Sequence, residues 1–299
     1  MTNTSLPRTD LACERMRADT DLAGVEYREE EGAGYRISRL SVSSAEAAKT
    51  IGKPEGHYVT VSFAPLWELS DGELSSLGEV LSTLLRELCE RHVKKPRSVL
   101  VVGLGNRYLT ADAVGPDSIR AMFATRHLAK EEPALFSRFS EVELSLLAPG
   151  VMAQTGIETG LLVAGAAEAV TPDLVIAIDA LAARSTSRLA TTVQLSDTGI
   201  RPGSGIGNGR RAIDSEALGV PVLAIGIPTV VDSGTLVYDA FERAGLSDGD
   251  IPAALARVLE EGEAFFVSPR QADTVTERAA QLVASAVNLT FSPGLFDKG

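Results

Sequence analysis

From Tyr58 to Ala64 apolar and polar residues alternate, the period-two pattern of a strand with one buried face. Between Leu74 and Val93 the spacing changes: Leu77, Leu81, Leu84, Leu85 and Leu88 fall on one helical face, and Asp71 stands where it can cap the helix. Four short, almost continuously apolar runs cover 98–104, 142–147, 173–178 and 220–227, the pattern of strands buried on both faces. Helix-compatible stretches at 117–128 and 158–170 separate the first three, as in βαβ units. The expected fold is therefore α/β, a largely parallel sheet with helices on both faces. A last helix over 271–288, with Val275, Ala279, Leu282, Val283 and Ala286 at helical spacing, is expected to pack back on the sheet. The polar stretch 245–262 is compatible with a loop or a short helix.

Residues 1–35 lack a sustained apolar period and include the run Arg28-Glu29-Glu30-Glu31, so they read as a mobile N-terminal arm on a single domain. With 44% apolar and 23% charged residues, the 299-residue chain has the composition of a globular protein. Its formal charge of -12 is the wrong sign for gripping phosphate backbones or anionic lipid, so neither nucleic acid nor membrane is an expected partner. Cys13 and Cys89 have no CxxC spacing, which points away from a disulfide framework or a zinc knuckle. The N-terminus has no apolar leader pattern, and no apolar run is long enough to span a bilayer, so a cytoplasmic protein is expected.

In open α/β sheets the active site gathers at the carboxyl ends of the strands. The run at 98–104 leads into Gly103-Leu-Gly-Asn106 and then Asp112, while the run at 173–178 ends in Asp179. A carboxylate closing an apolar strand loses hydration unless it is paired or hydrogen-bonded, which makes Asp179 a candidate for chemistry. Asp112, in a Gly-bounded loop, reads first as a turn or cap residue. If strand order brings the two together, one can stay ionised to take a proton from water while the other stays protonated to give one, as amide hydrolysis without a covalent intermediate requires. Gly103, Gly105 and Asn106, with Gly203, Gly205 and Asn208 of a second Gly-rich loop, are candidates for substrate-binding or oxyanion N–H groups. A dinucleotide motif fails because Tyr108 occupies the third glycine position. Asp197-Thr198-Gly199 copies the tripeptide of pepsin-like proteases but occurs once and reads as a turn. His57, His92 and His127 show no nucleophile or metal-ligand spacing, and the ends of helices account for His92 and His127.

Ordered blocks along nearly the whole chain resemble the germination protease (GPR endopeptidase) family of spore-forming bacteria, atypical aspartic-type peptidases. They include Arg8-Thr-Asp-Leu-Ala, Gly103-Leu-Gly-Asn, Asp112-Ala-Val-Gly-Pro, Ala148-Pro-Gly-Val-Met, Thr155-Gly-Ile-Glu-Thr, Val175-Ile-Ala-Ile-Asp-Ala-Leu-Ala-Ala-Arg, Ser196-Asp-Thr-Gly-Ile-Arg-Pro-Gly-Ser-Gly-Ile-Gly-Asn and Ala224-Ile-Gly-Ile-Pro-Thr-Val-Val-Asp. The resemblance implies a phosphorylase/hydrolase-like fold similar to that of hydrogenase-maturation endopeptidases, with Asp112 and Asp179 as the catalytic pair and no cofactor or metal. It implies a self-processing zymogen cut between Asp10 and Leu11, giving a propeptide of residues 1–10 and a peptidase domain of 11–299 whose arm covers 11–35. It further implies small acid-soluble spore proteins as substrates, a site in the forespore or spore core, and a homo-oligomer, a tetramer. Cys13 stands where the cleavage pattern leads one to expect a small or aliphatic residue, and an insertion between Asp232 and the last helix is absent. Two other readings remain: a metal-dependent maturation-type endopeptidase using the same carboxylates as ligands, and a peptide-binding protein without hydrolysis.

Overall fold

The computed structural model describes residues 9–15, 22–201, 211–245, 252 and 265–296. Among these, nine strands form one sheet: β1 (Val25–Gly32), β2 (Tyr35–Val42), β3 (Gly56–Phe63), β4 (Ser98–Gly103), β5 (Glu143–Leu147), β6 (Leu174–Ala183), β7 (Thr192–Ser196), β8 (Val222–Asp232) and β9 (Phe266–Val267). The order is β1-β2-β3-β7-β8-β6-β4-β5, with β9 on β8. Strands β8, β6, β4 and β5 are parallel, as the apolar runs require. The remaining pairings are antiparallel and widen the sheet through β7, β3, β2 and β1. This antiparallel half goes beyond the expected βαβ pattern.

Alternation along the central strands divides the core. Val99, Val101, Ile176 and Ile178 face a large cluster with Leu77, Leu81, Leu85 and Leu88 of the Asp71–His92 helix and Val275, Leu282 and Val283 of the Ala272–Phe291 helix. Leu100, Val102, Val175 and Ala177 face the opposite way, against Val163 and Ala167 of the Thr159–Val170 helix. Helices thus cover both faces, and full burial explains why the strands read as continuous apolar runs. No helix among the described residues is long and apolar enough to cross a membrane.

Three local expectations change. The Asp71–His92 helix is capped by Ser70, not Asp71: the Ser70 hydroxyl accepts from the Glu73 N–H and the Glu73 carboxylate accepts from the Ser70 N–H, a reciprocal capping box. The helix expected over 117–128 is broken into Val114–Arg120 and Arg126–Glu131. Thr125 is tied to the β5 side instead, its N–H donating to the Leu144 carbonyl at 3.0 Å and its hydroxyl to the Val142 carbonyl at 2.6 Å. The supposed mobile arm contains β1, an edge strand exposed along most of its length, whose charges suit an unpaired edge and leave no apolar period to read. Residues 9–15 are also anchored, with Leu11 and Ala12 fully buried. Most of 245–262 lies outside the described residues.

Candidate active site

The chain leaves β4 for β5 on one side and returns to β6 on the other, so strand order reverses between β4 and β6. Their carboxyl ends open into a crevice, the usual ligand position in such sheets. A cavity of about 1030 Å³ lies there, lined by both Asp112 and Asp179.

Asp112 closes a short 3-10 turn, Thr110–Asp112, after β4. The turn is fastened on two sides: Thr229 of β8 donates to the Ala111 carbonyl at 2.6 Å, and Thr276 of the last helix donates to the Thr110 carbonyl at 2.8 Å. The Asn106 N–H donates to Asp112 Oδ2 at 2.8 Å. That approach depends on Gly105, whose φ of +111° is costly for other residues and whose absent Cβ would lie 2.1 Å from the Asp112 carbonyl oxygen. Asp179 sits on β6 opposite Gly226 of β8, half-buried, with Oδ1 accepting from the Ala180 N–H at 3.0 Å.

The glycine-loop candidates separate. Gly105 and Asn106 line the cavity, but the Asn106 N–H is committed to Asp112, so its observed part is to hold the carboxylate. Gly103 is buried at the end of β4 in register with Ile178 and packs against the Gly115 backbone, where the absence of a side chain serves close packing. Gly203, Gly205 and Asn208 lie outside the described residues.

The anchored arm enters the same cavity at Asp10. The Asp10 N–H donates to the Ala182 carbonyl at 2.9 Å, and the Ala182 N–H donates back to Asp10 Oδ2 at 2.9 Å. Lys53 Nζ donates to the Asp10 carbonyl oxygen at 2.7 Å, joined by Gln194 Nε2 at 3.3 Å. Leu11 and Cys13 pack among Ala183, Leu189 and Val231, where a thiol serves as a small apolar side chain and burial raises its pKa. The Glu14 carboxylate accepts from the Arg184 and Ser185 N–H groups at 2.8 and 3.0 Å. The family resemblance implies Asp10 and Leu11, but nothing in the sequence marks Lys53, Gln194 and the end of β6 as their receptor. These contacts depend on the fold of the antiparallel half, and no local motif announces them.

Histidines absent from the sequence motifs also find a partner. Asp197 follows β7, its side chain 4% exposed, and accepts from the His57 ring at 2.8 Å, the His92 ring at 3.0 Å and the His57 N–H at 2.7 Å. Gly56 permits the approach, because a Cβ there would come within 2.6 Å of the carboxylate. Arg91 donates to His57 Nε2 at 3.2 Å, which places the His57 proton on Nδ1, toward Asp197. Burial alone would raise the Asp197 pKa, but the hydrogen bonds from the His57 backbone and the two rings outweigh it and hold the carboxyl below its ordinary 3.8. A depressed folded pKa stabilises the protein above the ordinary value, and the contribution is lost as pH falls through it. Asp197→Ala is expected to cost about 1 kcal/mol at neutral pH, because the His57 N–H and two partly exposed rings lose their shared acceptor. In melting curves the difference from wild type should shrink below about pH 4; a difference independent of pH contradicts this account.

The germination protease family profile matches residues 8–244. A germination protease of Caldanaerobacter subterraneus subsp. tengcongensis is 38% identical, covering 97% of this chain and 96% of that protein. One from Clostridium perfringens is 34% identical, covering 96% of each, and one from Bacillus subtilis is 41% identical, covering 80% of this chain and 67% of that protein. Among solved structures, a [NiFe] hydrogenase maturation protease, HycI, from Thermococcus kodakarensis aligns with a TM-score of 0.36 and 16% identity, over 68% of this chain and 98% of that one. On the family match and these relatives, the chain belongs to the germination protease family and is a spore-germination endopeptidase.

Proposed function

We propose that this endopeptidase is made as a zymogen, cuts itself between Asp10 and Leu11, and then cleaves small acid-soluble spore proteins in the forespore or spore core at sites of the same acidic-apolar-Ala pattern. In this reading Asp112 and Asp179 activate the attacking water and protonate the leaving amine. The observation that carries it is one cavity, at the switch point of the sheet, lined by both carboxylates and entered by Asp10. Arm residues 9–15 supply the recognition pattern in cis: an acidic residue on Ala182, a buried leucine and alanine, and a glutamate on two backbone N–H groups. Assembly as a homotetramer belongs to the same proposal.

Intact-mass spectrometry of the purified chain tests it. Release of a peptide of residues 1–10, followed by cleavage of an added spore protein at acidic-apolar-Ala sites, is expected; cuts elsewhere, or none, contradict it. Among the described residues no three His, Cys, Asp or Glu side chains are grouped to hold a metal ion. In the aspartate-pair reading exhaustive chelation is expected to leave the rate within about twofold, whereas loss of activity reversed by a divalent cation would favour the metal-dependent alternative.

A further inference from the structure

An ammonium taken partly out of water carries a desolvation cost that its partners must offset. Lys53, half-buried just after the Ala45–Ile51 helix, directs Nζ onto a main-chain carbonyl, that of Asp10, at 2.7 Å. Gln194 of β7, 8% exposed, donates to the same oxygen and with its own Oε1 accepts from the Ala12 N–H at 2.6 Å. One amide side chain thus grips the backbone on both sides of the Asp10–Leu11 peptide bond. The two hydrogen bonds between Asp10 and Ala182 fix the residue before that bond, and the burial of Leu11 fixes the residue after it.

We propose that Lys53 is a catalytic electrophile, which with Gln194 polarises the carbonyl of the peptide bond being cut and stabilises the oxyanion that forms on it. The inference rests on the proposed cut between Asp10 and Leu11. Water adds to the Asp10 carbonyl carbon, forming a C–O bond and passing a proton to a carboxylate of the Asp112–Asp179 pair. The carbonyl π electrons move onto the oxygen held by Lys53 and Gln194. Collapse restores the C=O bond and breaks the C–N bond, and the Leu11 nitrogen takes the proton back from the carboxyl group. The products are a new carboxyl terminus at Asp10 and a free amine at Leu11. Because negative charge on that oxygen appears only as water adds, a cation there favours the transition state over the ground state. Burial lowers the Lys53 pKa, against the opposing pull of the Asp10 carboxylate, and this makes Nζ a stronger donor. After the cut, departure of residues 1–10 leaves Lys53, Gln194 and Ala182 open to the acidic residue of an incoming protein.

The test follows self-cleavage of the full-length chain by intact mass for wild type, Lys53→Met, Lys53→Gln and Lys53→Arg. It then measures kcat and KM of the processed enzymes on a peptide spanning residues 4–16. Lys53→Met is expected to slow self-cleavage and kcat by about 100-fold or more with little change in KM, and Lys53→Arg, which keeps the charge, to recover most of the loss. A K53M rate within about threefold of wild type overturns the role of Lys53, as does K53R as slow as K53M, or a loss confined to KM, the mark of an arm anchor. Should K53M not fold, K53R against K53Q decides: equal rates overturn the proposal and a faster K53R supports it. If the wild-type chain never cuts between Asp10 and Leu11, the site of processing is wrong, and that result is distinct from a normal wild-type cut that survives loss of Lys53.

Discussion

Asn in place of Asp112 or of Asp179 is expected to lower peptide hydrolysis by about 100- to 10,000-fold, the range over which a positioned general acid or base contributes. The substitution is close to isosteric, and the hydrogen bonds seen at both positions survive it. In Asp112→Asn the side-chain carbonyl can still accept from the Asn106 N–H, and in Asp179→Asn it can still accept from the Ala180 N–H. Melting temperatures should therefore stay within a few degrees of wild type while the rate collapses, since surface or cavity changes that keep their hydrogen bonds cost little stability. Cleavage of a spore protein, followed by gel or mass, measures the effect. Near-normal rates in both variants would remove these residues from the chemistry.

A chain beginning at Leu11 is expected to cleave added substrate on the order of 100-fold faster than an intact chain followed before it processes. Asp10 occupies Ala182, Lys53 and Gln194 in the cavity. A tethered occupant acts at an effective concentration of about 1 mM, so against a substrate-like affinity of about 10 µM it leaves the site vacant roughly one part in a hundred. Leu11, Ala12 and Glu14 stay on the shortened chain, and a substrate of the same pattern must displace them from their receptors, which it can do once residues 1–10 no longer hold the arm in place. Initial rates of the two chains on the same substrate measure this; equal rates would mean that the arm exerts no restraint.

The legible part of the site was the part tied to strand periodicity. An apolar run ending in Asp179, and another leading through Gly105 to Asp112, predict two carboxylates at strand ends, and the reversal of order between β4 and β6 places those ends side by side. Sequence could not supply that reversal, because which strand neighbours which is decided by packing across the whole sheet. The antiparallel half was harder to read for a different reason: β1 is an exposed edge whose charges hide its period. Lys53, Gln194 and the His57–Asp197–His92 cluster depend on where β3 and β7 fall beside each other, so nothing near each residue in the chain marks it. Gly103 reads from sequence as part of a glycine loop, and its packing is visible only in the fold. The glycine is required for contact with the Gly115 backbone beneath the site.

Joint handling of a proton by the two carboxylates is tested most directly by the Asp112→Asn, Asp179→Asn double variant beside each single one. If the pair works as one unit, the double variant should hydrolyse peptide about as slowly as the slower single variant, because the first loss already disables the proton relay. Losses that multiply, so that the double variant is slower by the product of the two single effects, would mean independent contributions and contradict the mechanism.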